Sequence, residues 1–316
     1  MSRKALGAFV AVCVIWGTTY LAIAVTLETM PPFLMAGLRW TLAGTLLGAV
    51  LRSLGRRLPA WRAWPSIAVI SLLLVVLGNG AVVWAEQFVA SGLTAVIIAT
   101  SPFWMVSLEA AIGGERVTRR TLLGLIAGFM GILFLTWPEV GTQGTPGFLA
   151  GVIALQVACA GWAVGSSWSK RHSQHEDVLA SAALQMLIAG AVFLAIASAA
   201  GEWPRLHFST RSVTAFFYLA IVGSIGGFAA YVYALKHLPV ALVSLYAYVN
   251  PVIAVVLGVL LLGEPFNVRI AAGSAIVLLG VALVRGTASS PAEKVTPRAW
   301  WRRLARRRRG TMEPVR

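Results

Sequence analysis

Apolar residues run along this chain in long continuous blocks rather than in alternation. Ten such blocks, each bounded by charge, Pro or Gly, fall at about 5–25, 32–51, 65–84, 91–112, 121–137, 147–167, 179–200, 212–233, 240–262 and 268–285. Most reach the roughly 17–25 residues that a helix needs to cross hydrocarbon. Lipid leaves helices and closed barrels as the only ways to satisfy a backbone. A barrel needs alternating segments of about ten residues, and none is present. The pattern therefore predicts an all-α membrane protein with ten transmembrane helices.

The blocks also repeat. An offset of 149 residues places Pro102 on Pro251, Gly114 on Gly263, Glu115 on Glu264, Gly78 on Gly227, Ala85 on Ala234, Leu93 on Leu242, Gly124 on Gly273 and Gly131 on Gly280. An offset of 146 places Ala8 on Ala154, Cys13 on Cys159 and Trp16 on Trp162. The chain then divides into a first repeat over 1–139, a second over 147–285 and a tail over 286–316. Each repeat holds five helices. Five is odd, so the second copy enters from the opposite side, which gives two inverted five-helix repeats about an axis in the membrane plane.

Composition changes the picture little; the placement of charge changes it more. The chain is 58% hydrophobic and 12% charged, with a net charge of +15. With both termini inside, 22 of the 26 Lys and Arg residues fall in inside segments, as topology by positive loops requires. Ser2-Arg3-Lys4 and the apolar stretch after it also resemble a signal peptide. Trp16-Gly-Thr-Thr19 interrupts that stretch, and cleavage would break the repeat. The tail carries Arg298 to Arg309 around Trp300, Trp301 and Leu304. That composition suits docking on an anionic membrane lipid surface or a solvated topogenic tail. Nucleic acid is not an expected partner, since no recognition fold accompanies the charges. Cys13 and Cys159 both lie within apolar blocks and indicate no disulfide framework.

Several stretches in this order resemble the EamA repeats of the drug/metabolite transporter superfamily. They are Trp16-Gly-Thr-Thr-Tyr20, Gly37-Leu-Arg-Trp40, Ser91-Gly-Leu-Thr-Ala-Val96 with Pro102 and Gly114-Glu115, and Tyr246-Ala-Tyr-Val-Asn-Pro251 with Gly263-Glu264. Gly78-Asn-Gly80, Ala85-Glu86 and the tyrosine-rich ninth block look like the YedA-type inner-membrane subgroup of that family. The resemblance covers residues 5 to 285. It implies ten helices, a central cavity and secondary transport, usually export, of small organic metabolites (amino-acid-like) or drugs, across a bacterial inner membrane. A passive channel or lipid scramblase is the alternative, and an integral-membrane enzyme a more distant one.

Residues with chemistry inside the blocks are the candidates for a substrate site. Pro102 and Pro251 each free a backbone carbonyl mid-helix. Ser244 and Tyr248 share a face with Pro251, and Asn250 is adjacent. Trp16 and Tyr20 share a face of the first helix, with Thr19 beside them; Trp162 and Ser166 occupy the matching face of the sixth. These aromatics suit stacking of a planar or cationic ligand, or anchoring at the interface. Arg39 is a basic residue deep in a block, where hydrocarbon would cost at least roughly 2.5 kcal/mol; a substrate carboxylate or a structural partner explains it. Glu86 and Glu109 are proton-coupling candidates. Asn79, Gln156 and Gln185 are expected to bond between helices. The sequence contains no nucleotide-binding P-loop and no metal-ligand spacing, so neither cofactor nor metal is expected. The four histidines fall in loops.

Overall fold

The computed structural model describes residues 3–111, 119–141, 146–172, 177–237 and 246–285. All regular structure among them is helical. In chain order the elements are α1 (Arg3–Leu27), α2 (Pro32–Ser53), α3 (Trp64–Ile70), α4 (Gly80–Ala85), α5 (Ser91–Ile98), α6 (Ser101–Ala111), α7 (Arg119–Gly141), α8 (Phe148–His172), α9 (Val178–Ala199), α10 (Thr210–Phe217), α11 (Gly227–His237), α12 (Tyr246–Leu262) and α13 (Val268–Arg285). π-Helical segments join α3 to α4 (Ser71–Asn79) and α10 to α11 (Tyr218–Gly226). Six helical stretches are long and apolar enough to cross a membrane, the third and sixth of them being the two that contain a π segment. Four shorter apolar stretches lie at Ser91–Met105, Leu122–Leu135, Val249–Leu262 and Val268–Gly280.

The fourth block of the sequence, expected as one helix over 91–112, is two. The chain breaks at Ala99 and Thr100, and Pro102 stands in the first turn of α6. Proline has no N–H, so the Ile98 carbonyl loses its helical donor. Ser101 Oγ donates to that carbonyl at 2.6 Å, and Thr100 Oγ1 donates to Ile97 O at 2.6 Å. The protein's own hydroxyl thus takes up one lone pair of the freed carbonyl. Pro251 behaves differently and lies buried within an unbroken α12. Ser244, Glu115 and the tail 286–316 lie outside the described residues.

Packing pairs helices from the two ends of the chain. α2 lies along α9, and α7 along α13. α1 packs on α11 and α12, while α8 packs on the first π segment, α4 and α6. Apolar surface gives helices in lipid no reason to associate, so close backbone approach has to do it. Glycines supply that approach. A Cβ on Gly280 of α13 would lie 2.6 Å from the Gly128 backbone nitrogen of α7. One on Gly44 of α2 would lie 2.9 Å from the Leu187 nitrogen of α9.

Polar ties gather at the loop ends. Glu202, buried, accepts from the Leu34 N–H at the start of α2 (2.7 Å). Glu264 accepts from Ser91 N (2.7 Å), Ser91 Oγ (2.6 Å) and Gly92 N (3.0 Å) at the start of α5. Both carboxylates meet the unsatisfied N–H groups and positive dipole end of a helix far away in sequence. Thr29 Oγ1 donates to Ser212 Oγ at 2.6 Å, and Arg211 pairs with Glu28 at 3.2 Å. Asp177 caps α9 by accepting from Leu179 N and Ala180 N, and pairs with Arg56. Its partial burial works against ionisation, but Arg56 and the two N–H groups outweigh that and hold its carboxyl below the usual carboxylate range.

Two predictions follow from this packing. Gly280→Ala should destabilise the protein by about 1–3 kcal/mol through overpacking, whereas Gly48→Ala, which meets nothing within 4 Å, should be neutral or slightly stabilising; thermal unfolding in detergent compares them. The depressed Asp177 carboxyl stabilises the fold above the unfolded carboxylate value of about 3.9 and ceases to as pH falls through the lower folded value. Asn keeps the cap, so Asp177→Asn should destabilise slightly at pH 6, by less than about 1 kcal/mol for an exposed pair, and the difference should shrink as pH falls below about 3.9.

Candidate functional site

Three aromatic rings from three helices meet inside the bundle. Trp16 of α1 stands 5.1 Å, centroid to centroid, from both Tyr231 of α11 and Tyr246 of α12, and the two tyrosines are 5.9 Å apart, edge to face. Such geometry matches the quadrupole preference of aromatic pairs. Gly227 makes room for the indole, because a Cβ there would collide with it. Trp162 of α8 stands in the same relation to Gly78, where a Cβ would touch the ring at 3.4 Å. Trp162 is 38% exposed, and the half-buried Ser166 lies one turn beyond it. The first repeat's tryptophan is thus enclosed by tyrosines and the second's is not.

The hydroxyls of Thr19 and Thr18 already have partners. Thr19 Oγ1 donates to Trp16 O at 2.7 Å, and Thr18 meets the Tyr218 hydroxyl. Tyr20 lies half-buried against the main apolar core, within electrostatic reach of Glu86 and Tyr246.

The two π segments build a second feature. A π turn places bonded groups five residues apart and swells the helix locally. Ser224 Oγ donates to Leu219 O, five residues back, at 2.9 Å, and accepts from Arg39 Nε at 3.1 Å. Asn79, at the end of the other π segment, accepts from Trp40 Nε1 at 3.2 Å. The Arg39 guanidinium lies 4.7 Å from the centroid of the Trp40 ring, a cation–π distance. One polar residue from each π segment thereby holds the adjacent Arg39–Trp40 pair of α2.

Charged groups near this pair are left without partners. Arg39 is 3% exposed and its Nη1 has no partner. Glu86, at the end of α4, is 9% exposed and neither of its carboxyl oxygens has a partner. The two feel one another's charge without forming a hydrogen bond. Glu264 is also within electrostatic reach of Glu86, but its oxygens are already occupied by the start of α5.

Asn250 ties helices together. Its side-chain nitrogen donates to Cys13 O of α1 and Tyr246 O, both at 3.0 Å. Ser101, its counterpart at the 149-residue offset, contacts Cys159 of α8 at 3.3 Å. Gln156 accepts from Trp104 Nε1 at 2.9 Å, the interhelical bond expected of it. The side chains of Pro102, Glu109 and Tyr248 lie outside the described part of the structure. Among the described residues no cluster of three His, Cys, Asp or Glu could hold a metal. Tyr218, Ser224, Tyr231 and Tyr246 join this cluster of side chains but are not among the candidates the sequence singles out; a π turn has no residue signature, and the Trp16 neighbours Tyr231 and Tyr246 come from different blocks.

Helices of membrane-crossing length around an interior with aromatic and charged groups fit a membrane transporter, and the family comparison agrees. The EamA-like transporter family model matches the chain twice, over residues 3–137 and 149–286, and the chain belongs to that family. It is 37% identical over 262 residues to YedA of Escherichia coli (strain K12), described as an uncharacterized inner membrane transporter, covering 83% of this chain and 84% of that one. It is 25% identical over 280 residues to the transporter YoaV of Bacillus subtilis (strain 168), covering 88% and 95%. A solved crystal structure shares the fold at a TM-score of 0.63 and 21% identity, covering 92% of this chain and all of the other.

Loss of Ser224 tests the pocket. Ser224→Ala should cost about 1–3 kcal/mol, the penalty for leaving a buried donor unpaired. A double-mutant cycle with Arg39→Gln, read by thermal unfolding, should show the two changes to be non-additive.

Proposed function

We propose that this protein is a secondary active transporter that exports small organic metabolites or drugs by alternating access. In this reading the six long and four shorter apolar stretches are ten spans, arranged as two inverted repeats with both termini cytoplasmic, in a bacterial inner membrane like that of YedA. The observation that carries it is a packing scheme that survives exchange of the halves. α1 of the first repeat packs on α11 and α12 of the second; α8 of the second packs on the matching α4 and α6 of the first. α2 against α9 and α7 against α13 complete the scheme. Trp16 over Gly227 and Trp162 over Gly78 repeat it at side-chain level. Two halves that can each adopt the other's arrangement are what alternating access requires.

The substrate site lies around Trp16, Tyr20, Arg39, Glu86, Tyr231 and Tyr246. Glu86, buried with both oxygens unpaired, is the proton-coupling candidate. A proton moving down a potential supplies about 2.3 kcal/mol per 100 mV. The basic tail docks on the anionic cytoplasmic leaflet.

Proteoliposomes loaded with unlabelled solute and exposed to labelled solute test the reading. A carrier gives saturable counterflow; a channel or scramblase gives flux without it, and that result removes the proposal. Trp16→Ala should weaken half-saturation by roughly 30-fold, as loss of a buried aromatic anchor costs about 2 kcal/mol. Pro251→Ala should abolish counterflow with the protein still monodisperse.

A further inference from the structure

The turn that joins α2 to α3 exposes a mixture of apolar and cationic side chains. Residues 52–64 hold four arginines and no acidic residue. Leu54, Leu58, Trp61 and Trp64 are all exposed there, Trp61 over 75% of its surface. The turn is nonetheless firmly built. Gly55, at a φ of 71°, closes α2: its N–H donates to Arg52 O at 3.0 Å, and that of Arg56 donates to Leu51 O at 2.9 Å. This pair of bonds is a Schellman cap. Trp64 Nε1 donates to the carbonyl of the buried Pro59 at 3.2 Å. Arg56 pairs with Asp177 at the start of α9, and Trp168 Nε1 of α8 donates to Ser66 Oγ at 3.3 Å. The turn leaves one membrane-length stretch, Pro32–Ser53, and enters the next, Trp61–Ala85. Its place is therefore at a membrane surface, and its arginines put that surface on the cytoplasmic side.

We propose that this turn binds the headgroups of anionic phospholipids, at a site separate from the basic tail. Leu54, Leu58 and the two indoles enter the boundary between headgroups and acyl chains, the depth that amphipathic rings prefer. Arg52, Arg57 and Arg62 take the phosphates, whose oxygens match the guanidinium fork. Charge complementarity selects this occupant. Of the four arginines only Arg56 pairs with an acidic residue among the described residues. The Arg62 guanidinium lies 5.6 Å from the centroid of the Trp61 ring, so cation and apolar surface stand side by side, as phosphate and acyl chain do in a lipid. A zwitterionic headgroup carries its own cation beside the phosphate and gains little from further positive charge. A second copy of the chain would bring the same arginines against these, and like charges across an interface repel. Each basic group close to an anionic surface is worth about fivefold in affinity. The inference goes beyond the transporter reading and needs only that the two stretches cross a membrane.

Photo-crosslinking from the turn tests this in the full-length protein. Leu58 is replaced by p-benzoylphenylalanine, and the protein is placed in nanodiscs of equimolar phosphatidylglycerol and phosphatidylcholine with identical acyl chains. After irradiation, mass spectrometry of the peptide carrying position 58 identifies what it has joined. Phosphatidylglycerol adducts should exceed phosphatidylcholine adducts by about fivefold or more. The combined change Arg52→Gln, Arg57→Gln and Arg62→Gln, with the tail intact, should bring the two close to parity. Raised salt should move the unsubstituted arginines the same way, because exposed charges are screened. Equal adducts of both lipids at low salt overturn the proposal. So does a preference that survives loss of the three arginines, or adducts confined to a second copy of the chain. The salt series needs none of the arginine changes, so a failure of that variant to fold leaves a decisive result. No flux is measured, so every one of these outcomes leaves the transporter reading where counterflow puts it.

Discussion

Hydrocarbon removes the usual reason for helices to associate, and this bundle is organised by what replaces it. Where apolar burial gives little, van der Waals contact between backbones and the neutralisation of helix ends must supply cohesion. Gly280 against Gly128 and Gly44 against Leu187 bring helices of different repeats to near-contact. Glu202 on α2 and Glu264 on α5 place a negative charge at the positive end of a helix from the other repeat. These contacts set the separation of the halves. That separation in turn fixes how closely α1, α11 and α12 present Trp16, Tyr231 and Tyr246 to one another.

Much of this architecture could be read in the sequence because membrane helices announce themselves by length and apolarity. The repeat was legible for the same reason: glycines and prolines mark backbone requirements, as at Gly227, where the Trp16 indole lies too close for a Cβ. What stayed hidden was the local geometry inside the spans. Nothing in Ser71–Asn79 or Tyr218–Gly226 distinguishes a π turn from an ordinary one, yet those turns aim Asn79 and Ser224 at the Trp40–Arg39 pair. Arg39 and Glu86 each stood out as charges in apolar surroundings. Their mutual position did not, since it depends on how α2 and α4 pack. The same limit applies to the break before Pro102, where a hydroxyl one residue away decides between a kink and an interruption.

The halves share a scaffold and differ in chemistry. Trp16 is enclosed by tyrosines, while Trp162 is exposed over more than a third of its surface. The paired positions preceding each proline, Ser101 and Asn250, both touch the cysteine-bearing helix of their partner repeat, but one through a thiol and the other through a backbone carbonyl. Arg39 and Glu86 have no charged equivalents at the 146- and 149-residue offsets, where Gln185 and Leu235 stand.

The two prolines also make the halves mechanically unequal. Between α5 and α6 the Ile98 carbonyl is covered by the Ser101 hydroxyl of the same chain segment, and Cys159 of α8 braces that hydroxyl in turn. In α12 the amide beside Pro251 is anchored across to α1 through the Cys13 carbonyl, so bending that rod means breaking a bond between helices. The break between α5 and α6 and the unbroken α12 thus carry their prolines differently, one at a helix start and one mid-helix.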